Sequence, residues 1–327
     1  MKRVLVAARI FGYLSDNSFD LFRKKGIEVV PNPYRGKGLK EGQLLELIGG
    51  VDGLLTGVDQ VTRKVIEAAD RLKVISKFGT GVDNIDITAA TDKGIVVTSA
   101  PGANSDAVAD MTFALILAIA RKLTHGFDRV RKGEWPLMVG TEVYGKTIGL
   151  IGLGQIGRRV ARRAGGFSMK IMAYDKFPDE RFAQENDIEL APLETLLKEA
   201  DFVSVHVPLN EETKNLIGCE QLQRMKPSAF LINTARGGIV DEDALLEALK
   251  SGKIAGAAFD VLKEEPPTQR HLAELENFIV TPHVSPFTKE AIEKVERLSA
   301  QNIIDVLEGR YTGYIVNPEV LRKITNG

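Results

Sequence analysis

The sequence predicts an α/β protein built of two doubly wound parallel-sheet domains. Three observations predict it. Short apolar runs alternate with helix-length segments over the first hundred residues and again from about 146 to 282. The stretch 147–175, TIGLIGLGQIGRRVARRAGGFSMKIMAYD, reads in the order strand, glycine turn, helix, strand, acid. A long amphipathic segment, about Thr288 to Glu308, follows the last strand and is expected to return to the first block. Strands joined through helical crossovers pair in parallel.

Val4 to Ala7 is the first expected strand, followed by a helix through Ser18 to Lys25 and a strand at Ile27 to Val30. Pro31, Pro33, Gly36 and Gly38 mark a loop. Leu44 to Ile48 is helical, Gly53 to Leu55 a short strand, Thr62 to Ala69 helical and Leu72 to Ser76 a strand. Gly79-Thr80-Gly81 breaks that run sharply. Asp86 to Asp92 gives a short helix and Val96 to Thr98 the last strand of this block. After Pro101-Gly102, Asn104, Ser105 and Asp106 are candidate N-caps for a helix to about Lys122. That helix is apolar on nearly all sides, so it is expected to be buried between domains or in a subunit contact. From Thr124 to Gly145 the chain is charged with little core signal, and reads as an arm.

The stretch 147–175 carries G-x-G-x-x-G at Gly152, Gly154 and Gly157. In this context it is the dinucleotide-binding fingerprint of a Rossmann unit. Gly152 permits the tight turn, Gly154 lets the backbone approach a pyrophosphate, and Gly157 lets the helix lie close to the strand. Gln155 and Ile156 open the helix, whose N-terminal N–H groups and dipole favour phosphate. Asp175 is placed to accept the ribose hydroxyls and to repel a 2′-phosphate, which favours NAD over NADP. Later strands are expected at Phe202 to Val207, Ala229 to Asn233, Gly256 to Phe259 and Phe278 to Thr281.

Composition narrows the function classes. The 327 residues are 44% hydrophobic and 27% charged, with net charge −1. No basic field points to nucleic acid or an anionic membrane. The apolar run from Phe113 to Ala120 is too short to span a bilayer. The single cysteine, Cys219, excludes an internal disulfide and fits a reducing compartment, so a cytoplasmic protein is expected. No Cys/His or paired-His spacing suggests a metal site, and none is expected.

Arg236, Glu265 and His283 each follow an expected strand of the nucleotide-binding block. In open parallel sheets ligands bind outside the carboxyl ends of the strands, so the three can converge. A guanidinium grips a carboxylate at two points. An imidazole gives or takes a proton near neutral pH, and a carboxylate beside it orients it and favours its charged form. Of the other histidines, His125 and His271 read as solvent-facing, the latter in a polar helix, and His206 as a core or cofactor-edge residue.

With these residues in view, the sequence resembles the D-isomer-specific 2-hydroxyacid dehydrogenases, especially the phosphoglycerate dehydrogenase branch. The matching stretches are ISKFGTGVDNID at 75–86, GLIGLGQIGRRVA at 149–161, HVPLNEETKNLI at 206–217, MKPSAFLINTARGGIVDEDAL at 225–245, and AAFDVLKEEPP with TPHVS between 257 and 285. The resemblance implies a discontinuous, flavodoxin-like substrate domain from 1–100 and 285–327. It implies an NAD-binding Rossmann domain at 101–284, with a dimerisation helix and arm at about 101–145. Arg236, Glu265 and His283 match the catalytic Arg, Glu and His. Asp260 matches the acid near the nicotinamide, and Val207, Pro208, Thr213 and Thr234 fall at cofactor-contacting positions. Gly79, Thr80 and Gly81 match the loop that holds the substrate carboxylate. The implied activity is hydride transfer between NAD(H) and a small D-2-hydroxy or 2-oxo acid in a homodimer, with 3-phosphoglycerate a candidate substrate.

Two departures bear on the substrate. Where phosphoglycerate dehydrogenases usually carry an arginine, this chain has LLTGVDQ after the strand at Gly53 to Leu55. Lys77 or Arg9 is the candidate replacement cation, Lys77 being the substrate-binding choice. The regulatory module of that branch is not expected, since the chain ends at Gly327. Glyoxylate and hydroxypyruvate reduction is therefore the alternative activity, and an NAD-sensing corepressor-like binding protein the alternative class.

Overall fold

A computed structural model describes residues 1–15, 17–34, 38–268 and 270–325 of the protein. Gly36 and Gly327 lie outside the described residues. The chain forms two units, Met1–Asn104 with Phe287–Gly327, and Ser105–Pro286. Both are α/β units on parallel sheets.

The first unit runs β1 (Arg3–Val6), α1 (Asn17–Arg23), β2 (Glu28–Val30), α2 (Glu41–Leu47), β3 (Gly53–Thr56), α3 (Arg63–Ala68), β4 (Val74–Lys77), α4 (Ile87–Asp92) and β5 (Val96–Thr98). The described strands pair in the order β2-β1-β3-β4-β5, the flavodoxin-like arrangement. β3 and β4 are buried at every position, which is why they read as continuous apolar runs. Helix starts follow local capping chemistry: Thr62 Oγ1 accepts the Val65 N–H, and Asp86 accepts the Ala89 N–H at 2.8 Å.

The second unit begins with α5 (Ser105–Ala120) and α6 (Leu123–Arg131). It continues β6 (Thr147–Ile151), α7 (Gln155–Gly166), β7 (Lys170–Tyr174), α8 (Glu180–Glu185), β8 (Ile188–Leu190), α9 (Leu193–Glu199) and β9 (Phe202–Val205). Then come α10 (Cys219–Arg224), β10 (Phe230–Asn233), α11 (Glu242–Lys250), β11 (Gly256–Phe259) and β12 (Phe278–Val280). The strand order is β12-β11-β10-β9-β6-β7-β8 among the described residues. Order reverses between β6 and β9, the switch point at which doubly wound sheets open a crevice. Two apolar cores lie on the two faces of this sheet.

Several elements differ from the sequence reading. α5 is buried within its own unit, with Phe113, Ile116 and Ile119 in one core beside α7, β10 and β11. Asp106 is not a cap but lies in the first turn, paired with Arg159 at 3.1 Å and Arg163 at 3.4 Å on α7. The arm contains a helix, α6, none of whose residues is buried. His271 sits in a turn rather than a helix.

The chain then returns to the first unit through α12 (Lys289–Leu307) and α13 (Val320–Thr325). Thr288 caps α12 by accepting the Ala291 N–H at 3.2 Å. Ile303 and Ile304 bury fully against Val4, Leu55 and Val74, each contributing roughly 1.5–3 kcal/mol. Asn317 then takes the Val97 N–H on Oδ1 at 2.8 Å and donates to Ile95 O at 3.0 Å. Thr98 bridges Ile315 in antiparallel fashion, so the returning chain covers the β5 edge.

Candidate active site

The cofactor end is built on β6 and α7. Gly152 has φ +102°, a conformation that a side chain would strain. A Cβ on Gly157 would lie 2.1 Å from Gly152 O, so only glycine lets the helix close on the turn. No side chain caps α7 at Gly154, and the space in front of that residue is open. Asp175 follows β7; its Oδ2 accepts the Leu153 N–H at 2.7 Å and its Oδ1 the Phe177 N–H at 2.8 Å. One lone pair of each oxygen is thereby used to brace the glycine turn, and one remains for a ribose hydroxyl. An uncapped helix start, an open turn and a braced acid fit a dinucleotide.

The residues after β9 stand beside this turn. The His206 N–H donates to Ile151 O at 2.7 Å, and a Cβ on Gly152 would lie 3.0 Å from the Val207 side chain. His206 Nε2 lies 2.9 Å from Ser204 Oγ, while Nδ1 is enclosed without a partner. Burial pushes the His206 pKa down to about 3, so this imidazole stays neutral and cannot serve as an acid near neutral pH. Pro208 O accepts from Thr213 Oγ1 at 2.6 Å, which folds the following loop onto itself. Thr234 Oγ1 lies 3.0 Å from Thr112 Oγ1 in the interior.

The second cluster stands at the carboxyl ends of β10, β11 and β12, which are neighbours in register. Asn233, fully buried, accepts the Ala235 N–H at 3.0 Å and donates to Arg236 O at 2.9 Å. It thus folds the turn that presents Arg236. His283 Nδ1 lies 2.7 Å from Glu265 Oε2, and Glu265 Oε1 accepts the Leu262 N–H at 3.0 Å. His283 has φ +53°, a left-handed conformation that costs about 1–3 kcal/mol unless its surroundings impose it. Asp260 imposes it. Its backbone carbonyl accepts the His283 N–H at 2.9 Å, and its carboxylate accepts the Val284 N–H at 3.0 Å and the Ser285 N–H at 2.8 Å. Thr281 Oγ1 donates to the same carboxylate. Asp260 is 1% exposed. Sequence reasoning singles it out for the cofactor and misses this anchoring of the His283 loop.

The surroundings of Glu265 favour its charged form. Burial acts to raise the Glu265 carboxyl, but the His283 hydrogen bond and charge, the Leu262 N–H and the Arg236 charge outweigh it and hold the carboxyl below its usual range. A depressed acid contributes stability above its ordinary value and loses it as pH falls through the lowered one. Both side chains are more than a third exposed, so solvent screens the pair and its worth lies in geometry rather than stability.

The substrate candidates Lys77, Gly79, Thr80 and Gly81 lie in the other unit. Gly79 O accepts the Ala100 N–H at 2.8 Å. Lys77 requires a correction. It is only 8% exposed, and its Nζ donates to Asn84 Oδ1 at 2.6 Å and to Gly57 O. Asn84 in turn donates to Gly57 O at 3.1 Å and to Asp59 O at 2.5 Å. Lys77 is a strut between the ends of β3 and β4, not an outward cation. Arg9 is exposed, with its guanidinium 6.0 Å from the Phe287 ring centroid.

The sheet thus presents a dinucleotide turn at one strand end and a cation, an imidazole and a carboxylate at the others. The model of the D-isomer specific 2-hydroxyacid dehydrogenase NAD binding domain matches residues 113–285. The chain belongs to the D-isomer-specific 2-hydroxyacid dehydrogenases. A glyoxylate reductase from Thermococcus litoralis is 45% identical over 295 residues, covering 87% of this chain and 89% of its own. A D-3-phosphoglycerate dehydrogenase from Methanocaldococcus jannaschii is 46% identical over 297 residues, covering 90% of this chain but 57% of its own. The crystal structure of the TT0316 protein from Thermus thermophilus superposes with TM-score 0.89 at 39% identity, covering 96% of this chain and 99% of that one. This dehydrogenase is therefore an NAD-dependent oxidoreductase acting on a small 2-hydroxy or 2-oxo acid. Its similarity divides between two activities and does not single out the phosphoglycerate branch.

Proposed function

We propose that the enzyme reduces short unphosphorylated 2-oxo acids, glyoxylate and hydroxypyruvate foremost, with NADH. The end of β3 carries the reading: Thr56, Gly57 and Val58 offer no cation there, and the nearby Lys77 ammonium bonds to Asn84 and Gly57. A second anion on the substrate would leave water without a matching charge at this strand end. When bound, the nicotinamide supplies the hydride. Arg236 grips the substrate carboxylate. His283, oriented by Glu265, donates a proton to the 2-oxo oxygen; in the oxidative direction it takes that proton back. Gly152, Gly154, Gln155, Ile156, Gly157 and Asp175 hold the dinucleotide, with Val207, Pro208, Thr213, Thr234 and Asp260 along its path. In the first unit the reading assigns substrate contact to the backbone of Gly79, Thr80 and Gly81.

Following NADH absorbance with glyoxylate, hydroxypyruvate and 3-phosphohydroxypyruvate tests the substrate. The unphosphorylated acids are expected to show kcat/KM at least about tenfold higher, the equivalent of one unpaired contact worth ~1.4 kcal/mol. A preference for the phosphorylated acid overturns the assignment.

The same reading makes the protein a homodimer. Phe127, Trp135, Leu137 and Val139, on α6 and the segment after it, are 61–96% exposed. So much apolar surface in one stretch fits a second copy of the chain. Sedimentation equilibrium should give twice the chain mass, and Phe127→Glu with Leu137→Glu should give the monomer. A monomeric wild type refutes the arm.

A further inference from the structure

Glu242, in the first turn of α11, has no part in the chemistry above. Its Oε1 accepts the Lys263 N–H at 2.6 Å. Lys263 lies two residues before Glu265, in a turn where Leu262 N–H donates to Glu265 Oε1 at 3.0 Å. The same turn rests on the backbone that follows Arg236. A Cβ on Gly237 would lie 2.1 Å from Leu262 C and O and 2.4 Å from Lys263 N. The glycine therefore lets the turn approach, but contact alone leaves it free to slide. One directed bond from outside the turn fixes its register, and Glu242 supplies that bond.

We propose that Glu242 is a positioning residue: by holding the Lys263 N–H it sets the Leu262–Glu265 turn and so places the Glu265 carboxylate against His283. This rests on the reading that Glu265 and His283 manage the proton. The arrangement has an electrostatic cost. Burial raises the Glu242 carboxyl, and the Asp243 and Glu265 charges add to the rise, while the Lys263 N–H and charge oppose it. An acid with a raised folded value weakens the fold where it is ionised.

The test compares Glu242→Ala, Glu242→Gln and Glu242→Asp in the whole enzyme with glyoxylate and NADH. Misplacing a group that orients a catalytic residue costs roughly 10- to 100-fold. Glu242→Ala should lose kcat by that amount, with KM for glyoxylate and the fluorescence-measured Kd for NADH within about threefold of wild type. Glu242→Gln should recover kcat to within about threefold and melt no lower than wild type. Glu242→Asp, shorter by one methylene, should resemble alanine and covers the case in which alanine fails to fold. The proposal falls if Glu242→Ala turns over at the wild-type rate, if glutamine is as slow as alanine, or if rate, NADH affinity and melting temperature fall together in all three. Glu265→Gln and His283→Ala run alongside. Wild-type rates in those two would sink the reading of the pair; losses there beside an unaffected Glu242→Ala would sink the positioning role alone.

Discussion

Replacing His283 with alanine is expected to lower kcat for 2-oxo acid reduction by about 10²- to 10⁴-fold, the range for removing a positioned general acid. The imidazole Nδ1 is tied to Glu265 at 2.7 Å, which leaves Nε2 as the nitrogen that meets the substrate oxygen. His206, the other histidine beside this sheet's carboxyl ends, cannot take over, because burial holds it neutral. NADH binding should change by less than about threefold, because the Gly152 to Gly157 turn and Asp175 lie after β6 and β7 and share no hydrogen bond with His283. Stopped-flow single turnovers with fluorescence titration separate the two effects. Near-wild-type turnover on both glyoxylate and hydroxypyruvate would show that the proton comes from elsewhere.

Asp260→Ala should damage fold and rate together. Three donors, the Val284 and Ser285 N–H groups and the Thr281 hydroxyl, lose a common acceptor in a place closed to water. Each orphaned buried donor costs about 1–3 kcal/mol, so the loss is at least ~3 kcal/mol. For a unit of this size that is a melting-temperature fall of roughly 6–12 °C. His283 then keeps its left-handed backbone without the bonds that impose it, and relaxation swings the ring away from Glu265. The rate should fall by at least about tenfold even below the melting transition. Calorimetry and initial rates on the same sample decide it: an unchanged melting temperature would mean that Asp260 does not anchor the loop.

How much of this is legible in the sequence depends on where the information lies. Strands buried on both faces are short apolar runs by necessity, and β1, β3, β4, β9 and β10 can be read directly. β8 cannot: Glu189 interrupts it and Glu189 is exposed, so two apolar residues carry the whole signal. α6 reads as an arm without structure because none of its residues is buried, and a helix that buries no side chain leaves no core signature. Among the candidate residues, Arg236, Glu265 and His283 stand out because each follows a strand. Asp260 and Glu242 act by bonding the backbone of neighbouring loops, and no spacing rule reports which loop lies alongside. Lys77 misleads for the same reason. Its position announces a cation at a strand end, but only the fold shows the ammonium directed at Asn84 and Gly57.

The return of α12 to the first unit has a consequence for how the molecule comes into being. On the ribosome, Val4, Leu55 and Val74 emerge early, yet α12, which packs on them, is made only after the inserted unit. All of Ser105–Pro286 must be synthesised in between. The nascent first unit therefore carries a partly covered apolar sheet face through most of translation, and the inserted unit, continuous in sequence, has its strands complete while its neighbour still waits for α12.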